Sequence, residues 1–268
     1  MTDTTATDTA PWDGATYQRI AAPQTAWGER VLSQLSLVGD ERVLDAGCGS
    51  GKLTASLLAR LPRGEVIALD ASASMLAEAR RTLNGLGLRV SFVQADLLAF
   101  SLPDPQRVDV VFSTATFHWV LDHDALFARL FAALRPGGRL LAQCGGAGNL
   151  SGLYQRASIV RAQPSFSTYF EGFREPLYFA TPGETAQRLE AAGFTEIVTS
   201  LEDAPTPFAD EASFRVFVAS VCLRHDLEAL PVELHPAFLG QVSDAAGAAS
   251  PPFVLDYVRL NLSARRPG

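Results

Sequence analysis

The stretch VLDAGCGSGKL, residues 43–53, combines an acid, glycines and a lysine at a spacing suited to binding a small molecule. A phosphate-binding P-loop requires G-x-x-x-x-G-K-[ST]. Here Ala46 takes the place of the first glycine, and Leu53 takes the place of the magnesium-binding hydroxyl. The dinucleotide pattern G-x-G-x-x-G also fails, because a count that starts at Gly47 puts Lys52 at the third glycine. The loop therefore fits neither phosphate-binding pattern.

Asp45 indicates a different ligand. It lies at the carboxyl end of the first predicted strand, beside the crevice in which doubly wound α/β folds bind ligands. A carboxylate there repels a pyrophosphate but attracts an ammonium or a sulfonium group. S-adenosylmethionine carries both cations. The glycines let the backbone approach such a ligand, and the amides that open the next helix can bind its carboxylate. The alternative is that Asp45 only caps the next turn.

Two further acids end the second and third predicted strands. Asp70 ends EVIALD, where a carboxylate can accept hydrogen bonds from both hydroxyls of a ribose. NAD sites use the same arrangement, and Asp70 could instead be a helix N-cap. Asp96 ends VSFVQAD and is placed to accept from an adenine amino group, unless it is a simple turn residue. Three acids at successive strand ends favour a cationic nucleoside over a polyphosphate.

The elements that position these acids alternate between strand and helix. Runs typical of buried strands are each followed by apolar residues at helical spacing. Strands are predicted at 41–47, 65–71, 90–96, 108–115 and, after a turn formed by RPGG, 139–145; helices are predicted at 24–38, 52–61, 74–83 and 124–134. This alternation predicts an α/β fold with a doubly wound sheet.

The pattern changes after residue 146. TPGETAQRLEAAGF (181–194) predicts a helix with Thr181 as N-cap and Gly193 at its end. A strand, TEIVTSLED, follows it, residues 210–246 are predicted to be helical, and 253–264 is predicted to be the last strand. The predicted divisions are a disordered tail (1–12), a single domain (13–268), a cofactor-binding core (41–147) and two lid insertions (about 148–180 and 204–250).

Taken together, VLDAGCGSG, IALDAS followed by Met75, QAD and LRPGGRLL resemble the motifs of class I S-adenosylmethionine-dependent methyltransferases. The resemblance covers residues 41–145. It implies a Rossmann-like, seven-stranded, mostly parallel sheet with helices on both faces and helical lid insertions. Within that class, FSTATFHWVLDHDALFARLFAALRPGG is similar to trans-aconitate methyltransferase and malonyl-acyl carrier protein O-methyltransferase.

The resemblance also implies roles for individual residues around the cofactor. They are Tyr17, Asp45, Gly47 and Gly49 at the methionine end, Asp70 at the ribose, Ala71 and Met75 at the adenine face, Asp96 and Leu97 at the adenine edge, and Ser113 beside the sulfonium. The alternative for Met75 is that it is an ordinary core residue. No substrate motif is recognisable in residues 148–250.

His118 and Trp119 follow the fourth predicted strand, where the chain crosses the mouth of the crevice. His118 is the candidate catalytic residue, either as a base or by positioning the acceptor. The alternative is that both side chains only pack the loop. Arg161 and Arg174 could bind a substrate carboxylate bidentately, or be surface arginines.

Composition restricts the partners. The net charge of -7 argues against nucleic acid, because phosphate contacts need a basic surface. No early run reads as a signal peptide, and no apolar run is long enough to span a bilayer. The three cysteines and four histidines form no recognisable metal set, so we expect no metal. A cytoplasmic protein without membrane partners is the expectation.

These observations predict an S-adenosylmethionine-dependent O-methyltransferase acting on the carboxylate of a small or carrier-bound organic acid. A carboxylate is ionised at neutral pH and needs no base, whereas a hydroxyl or amine needs one. Two alternatives remain at this point. One is a phenol, amine or carbon acceptor, and the other is a non-catalytic module that binds the cofactor.

Overall fold

The computed structural model describes residues 22–268, so the predicted tail at 1–12 and Tyr17 lie outside the described residues. The strands are β1 (Arg42–Ala46), β2 (Glu65–Asp70), β3 (Val90–Gln94), β4 (Val108–Thr114), β5 (Leu134–Gly145), β6 (Thr195–Asp203), β7 (Thr206–Pro207), β8 (Val254–Leu255) and β9 (Val258–Arg265). The helices are α1 (Ala22–Ser33), α2 (Lys52–Ala59), α3 (Ala73–Thr82), α4 (His123–Ala133), α5 (Ser151–Arg161), α6 (Pro182–Ala191), α7 (Glu211–Phe217), α8 (Arg224–Ala229) and α9 (His235–Gly247).

Seven of these strands form one sheet in the order β3-β2-β1-β4-β5-β9-β6, and β7 pairs with β8 separately. β9 runs antiparallel to its neighbours β5 and β6, whereas the pairs on the β3 side of β5 are parallel. The strand order reverses between β1 and β4, which is where open α/β sheets bind ligands at the carboxyl ends of their strands. The predicted seven-stranded, mostly parallel sheet is confirmed.

Helices cover both faces of the sheet. Alternate residues of β1 enter different cores: Val43 packs with α1 and α2, and Leu44 packs with α4. Both are fully buried. Strands buried on both faces have continuous apolar sequences, which is the pattern that predicted this half of the sheet.

The first helix is shorter than predicted. The periodicity predicts a helix over 24–38, but α1 ends at Ser33. The guanidinium of Arg60 donates to the carbonyl oxygens of Leu32 and Leu35, so these carbonyls at the end of the helix are satisfied by a side chain. Leu35 still packs in the core as part of a turn.

The predicted RPGG turn lies inside a strand. β5 begins at Leu134, which pairs with Val108, and Val110 pairs with Arg139, so residues 135–138 loop out of the ladder. Gly137, at φ +77°, donates its N–H to the carbonyl of Arg266. Residues 135–138 therefore form a bulge in β5 that is hydrogen-bonded to Arg266.

The last strand begins later than predicted. Residues 253–264 alternate, but β9 spans Val258–Arg265, and Val254–Leu255 pairs with β7. Asp256 interrupts the run, because its Oδ2 accepts from Ser151 Oγ and from the N–H of Gly152, both at 2.8 Å. This carboxylate binds the first turn of α5.

The two predicted insertions share a single hydrophobic core. We use the term helical unit for α5, the short turn Ser167–Phe170, and α7 to α9. Phe166 from the first insertion packs edge-on against Phe238 from the second, with ring centroids 5.5 Å apart. Within residues 22–268, no helix combines the length and apolar character needed to cross a membrane.

Candidate active site

The glycine loop between β1 and α2 is fixed to β2 and to the segment that follows β4. Gly47 and Cys48 donate their N–H groups to the carbonyl of Leu69 at 2.8 and 2.9 Å. A Cβ on Gly47 would come within 2.2 Å of Thr116 Oγ1, so only glycine fits here. Gly49, at φ +52°, has open space where its Cβ would be. The loop is therefore rigid on one side and open on the side that could receive a ligand.

Asp45 is buried beneath this loop. Its Oδ2 accepts a 2.6 Å hydrogen bond from Thr54 Oγ1 on α2. Burial raises the pKa of the Asp45 carboxyl to about 7, with a smaller contribution in the same direction from the nearby carboxylate of Asp70. The hydrogen bond from Thr54 acts in the opposite direction. A carboxylate that is costly to ionise in this position would be stabilised by a bound cation.

Asp70 organises the loop and does not cap α3. Its Oδ2 accepts from the N–H of Gly49 at 2.9 Å, and its Oδ1 accepts from the N–H of Ser72 at 2.8 Å. The N-cap is Ser72, whose hydroxyl accepts from the N–H of Met75. Burial raises the pKa of Asp70, and these hydrogen bonds partly offset the rise. Each oxygen keeps a second lone pair that could accept a ligand hydroxyl.

The residues predicted for the adenine lie on both sides of the β2 and β3 ends. Ala71 is exposed and Met75 is buried at the start of α3. Asp96 is exposed, and its Oδ1 accepts from the N–H of Leu98 at 2.7 Å, which is a turn geometry. The side chain of Leu97 packs in the core, so only its backbone is left for a ligand. The adenine roles stay predictions.

Ser113 holds two strands together. It is buried, and its hydroxyl donates to the carbonyl of Ala46 at 2.6 Å. This bond ties the end of β4 to the end of β1, the two strands at which the sheet order reverses. The predicted position of Ser113 beside the sulfonium stays a prediction.

His118 lies in a short turn, Phe117–Trp119, anchored by the fully buried Phe117. Its Nδ1 accepts the N–H of Gly145 at 3.2 Å. Because Nδ1 is an acceptor, the proton of the neutral ring lies on Nε2. Burial, with help from the positive charge of Arg259, lowers the pKa of His118 to about 3. The ring is therefore neutral at physiological pH and presents an N–H donor, not a free basic nitrogen.

Aromatic side chains connect His118 to the rest of the molecule. Phe179 stacks on His118 with ring centroids 5.9 Å apart, and Tyr154 of α5 lies 6.1 Å beyond Phe179. Trp119 contacts His225 of α8 with centroids 5.7 Å apart. The helical unit therefore contacts the β4 side of the crevice through aromatic side chains.

Arg161 is neither a surface arginine nor a free clamp. Its Nε donates to Asp226 at 2.6 Å, and its terminal nitrogen donates to Glu175 at 2.9 Å. Asp226 is fully buried on α8. The ion pair between Arg161 and Asp226 joins the two insertions. Both contacts of Arg161 are therefore to carboxylates of the protein. Arg174, in contrast, is exposed.

The sequence motifs did not indicate three residues of this region. Thr54 binds Asp45, Thr116 packs on Gly47, and Arg259 lies buried at the start of β9. The run VRLNLSA offered one signal, since an arginine interrupts an otherwise apolar alternation. Among residues 22–268, no group of three or more His, Cys, Asp or Glu side chains could hold a metal ion.

Comparison with known proteins identifies the family. A family model described as "Methyltransferase domain" matches residues 43–138. A trans-aconitate 2-methyltransferase from Methylobacterium nodulans is 34% identical over 274 residues, covering 96% of this chain and 99% of that protein. This chain belongs to the class I S-adenosylmethionine-dependent methyltransferases.

Other similarities are consistent with that assignment. A trans-aconitate 2-methyltransferase from an Azoarcus species is 32% identical over 251 residues, covering 90% of this methyltransferase and 91% of that protein. The phosphoethanolamine N-methyltransferase 2 of Haemonchus contortus, solved with S-adenosylmethionine, superposes with a TM-score of 0.61 at 19% identity. That match covers 95% of this chain and 57% of the solved chain, so this protein spans little more than half of it. At this identity the likeness shows the fold alone.

Membership in the family settles two of the predictions. The protein is an enzyme, and its cofactor is S-adenosylmethionine. The alternative of a non-catalytic binding module is thereby set aside.

Proposed function

We propose that this methyltransferase transfers a methyl group from S-adenosylmethionine to a carboxylate oxygen of a small organic acid. The observation that supports the proposal is the state of His118. Its Nδ1 already accepts the N–H of Gly145, and its pKa is lowered to about 3. A residue in this state is poorly suited to remove a proton at neutral pH.

The acceptor chemistry follows from that state. A phenol or an amine must lose a proton on the way to its product, and His118 is the candidate base that the sequence singled out. A carboxylate is already ionised at neutral pH and needs no base. The Nε2–H of His118 would donate to one carboxylate oxygen while the other oxygen reacts. In this role His118 positions the acceptor.

The cofactor fits the residues at the strand ends. Bound S-adenosylmethionine supplies a methyl group that the sulfonium already activates. Asp45 would hold the ammonium group of the cofactor, because a nearby cation would stabilise the ionised form of this buried carboxylate. Asp70 would accept the ribose hydroxyls with its remaining lone pairs, and the open face at Gly49 admits the ligand to the backbone.

The remaining assignments are part of the same proposal. Gly47 lets the loop approach Thr116, which follows β4, and Ser113 ties together the ends of β1 and β4, beside which the sulfonium would lie. The adenine would lie between Ala71 and Met75 on one side and Asp96 and the backbone of Leu97 on the other. Tyr17, outside the described residues, would reach the carboxylate of the cofactor.

The helical unit would act as a lid over the acceptor. Its support is the continuous set of ring contacts from His118 through Phe179 to Tyr154, and from Trp119 to His225. A cover of this kind aligns the nucleophile with the methyl group and excludes water. Because the two insertions share a hydrophobic core, any motion of the lid would involve both insertions together.

The relatives support a small, free acid in preference to a carrier-bound one. Two curated relatives that match nearly the full length of this chain carry the name trans-aconitate 2-methyltransferase. Trans-aconitate is a free carboxylic acid. We therefore propose an acid of that size, with a carrier-bound acid as the outcome to be tested against it.

The test is a screen for S-adenosylhomocysteine release. Acceptors are presented in matched groups: trans-aconitate and other small carboxylic acids, malonyl-acyl carrier protein, phenols and amines. We expect turnover with free carboxylic acids and product esters that mild alkali hydrolyses. Turnover confined to phenols or amines would contradict the proposal, and turnover confined to the carrier-bound acid would correct its size class.

A further inference from the structure

His123 is a buried histidine that begins α4, in the segment that follows His118. It is 2% exposed, and Asp122 caps the helix by accepting the N–H of Ala125 at 2.9 Å. Its Nε2 lies 2.9 Å from the carbonyl oxygen of Phe117. Because a carbonyl oxygen can only accept a hydrogen bond, Nε2 carries the proton and donates it. The ring of His123 therefore binds the residue directly before His118.

The other ring nitrogen of His123 makes no such contact. Nδ1 is buried and has no hydrogen-bond partner among residues 22–268. Burial lowers the pKa of His123, and the hydrogen bond to Phe117 partly offsets this effect, so the ring is neutral at physiological pH. A buried acceptor without a donor costs free energy, which a leucine in the same space would avoid. What a histidine adds at this position is the donor at Nε2.

The turn that carries His118 is bound on both sides of that residue. The carbonyl of Phe117 accepts from His123 and, at 3.0 Å, from the N–H of Val120, so both of its lone pairs are used. The carbonyl of His118 accepts the N–H of Tyr178 at 2.9 Å. Both peptide groups that flank the Cα of His118 are therefore fixed, one by α4 and the other by the segment that leads to α6.

The two residues that bind these carbonyls also contact each other. The ring of His123 packs edge-on against Tyr178 and against Phe127 of α4, with ring centroids 4.9 and 5.6 Å away. The hydroxyl of Tyr178 accepts from Arg188 of α6 at 2.9 Å. The support beneath the His118 turn is therefore one packed group that joins α4 and α6.

The orientation of the His118 ring depends on this support. The distance from its Nδ1 to the nitrogen of Gly145 is 3.2 Å, at the long end of the usual range, so a small movement of the turn would break the contact. We propose that His123 is a positioning residue for His118. Its Nε2–H, through the carbonyl of Phe117, holds the turn so that Nδ1 of His118 accepts from Gly145 and the Nε2–H of His118 faces the acceptor. This inference rests on the proposed function, since it assumes that His118 positions the acceptor.

The test uses the full-length enzyme and three variants of one residue. His123→Leu and His123→Phe remove the donor, and His123→Gln keeps an amide donor at a similar reach. Leu130→Ala is the control, because Leu130 is fully buried on the same helix and provides no hydrogen bond to the turn. NMR of the S-adenosylhomocysteine complex reports which ring nitrogen of His123 carries the proton, and reports the amide resonance of Gly145. Thermal unfolding, and kcat/KM for the best acceptor at saturating S-adenosylmethionine, are measured on the same proteins.

We expect the proton of His123 on Nε2 in wild type. His123→Leu and His123→Phe should move the Gly145 amide resonance upfield and lower kcat/KM by about tenfold, the effect of one lost hydrogen bond. His123→Gln should recover most of both. Leu130→Ala should lower the unfolding temperature at least as much as His123→Leu, because it leaves a cavity, yet leave the Gly145 resonance in place and kcat/KM within about twofold.

Three results would overturn the inference. One is a proton on Nδ1 of His123 in wild type, which needs no variant to fold. Another is a loss in His123→Gln as large as that in His123→Leu, and the third is an equal loss in Leu130→Ala. Failure of the proposed function is a different result, in which no carboxylic acid turns over. The NMR comparison requires no acceptor, so it still decides whether His123 orients His118.

Discussion

Asp45 carries a cost in the ligand-free protein that the cofactor would relieve. Burial raises the pKa of its carboxyl from 3.8 to about 7. Between those two values the folded protein holds a proton on Asp45 that the unfolded chain has released, so this group lowers stability as pH rises from about 4 to about 7. Ionised Asp45 becomes favourable only beside a cation. Ionisation of Asp45 therefore lowers the stability of the protein without ligand but favours binding of a cationic ligand.

Asp45→Asn should separate the two effects. At pH about 7.5 the ligand-free variant should unfold at the same temperature as wild type or higher, because it removes a buried charge and keeps the shape of the side chain. Its affinity for S-adenosylmethionine should fall by at least about tenfold, since a charge-assisted bond is lost. Thermal unfolding and calorimetry measure the two quantities. A variant that is less stable and binds as tightly as wild type would return Asp45 to a purely structural role.

Asp70→Ala tests the ribose assignment. The variant removes the carboxylate that binds the N–H groups of Gly49 and Ser72, as well as the proposed hydroxyl acceptor. Cofactor affinity should fall by at least about tenfold without unfolding the domain. Asp40→Ala is the control, because Asp40 precedes β1 at the opposite edge of the sheet and its contact with Arg63 is long, at 3.9 Å. An unchanged dissociation constant for Asp70→Ala would show that Asp70 serves the loop alone.

At the scale of elements, the helices and strands that were predicted correctly are those whose sequences carry a local pattern of apolar or capping residues. The five central strands and their connecting helices agree with the predictions within a few residues, because buried parallel strands are continuous apolar runs. The capped helix α6 was also predicted, and its capping box is present at Thr181 and Glu184. The errors occur where a distant side chain decides the boundary. Arg60 satisfies the end of α1, and Asp256 leaves the last strand to bind α5.

The helical unit should depend on the buried ion pair between its two insertions. Arg161→Met leaves Asp226 and Glu175 close together without their shared cation, which should lower the free energy of unfolding by about 3 kcal/mol or more. Arg174→Met, an exposed arginine of the same insertion, should change it by less than about 0.5 kcal/mol. Chemical denaturation measures both.

The same variant tests the lid. If the helical unit covers the acceptor, Arg161→Met should lower kcat/KM for the acceptor while the affinity for S-adenosylhomocysteine stays as in wild type. A fall in cofactor affinity equal to the fall in kcat/KM would mean that the unit supports the cofactor core instead.

At the scale of the whole molecule, the residues proposed for the cofactor could be picked out from the sequence, whereas most of those proposed for the acceptor side could not. Asp45, Asp70 and the glycines lie in short contiguous motifs that carry their own chemical meaning. The proposed acceptor side is assembled from segments far apart in the chain: the turn at His118, the ring of Phe179 and the last residue of β5, Gly145. No local spacing relates these segments, because sheet order and the packing of two insertions bring them together.

In the proposed mechanism the acceptor is ionised before it binds, and His118 positions it. The most direct measurement is the pH dependence of kcat/KM for the acceptor at saturating S-adenosylmethionine, in wild type, His118→Ala and His118→Gln. Glutamine can accept the N–H of Gly145 or donate to the acceptor, but it cannot act as a base. A carboxylate acceptor should give a plateau above about pH 6. His118→Ala should lower the plateau without changing its shape, and His118→Gln should recover part of the loss. A rate that climbs with unit slope through about pH 6–8, and that loses this slope in both variants with a fall of about a hundredfold, would contradict this mechanism.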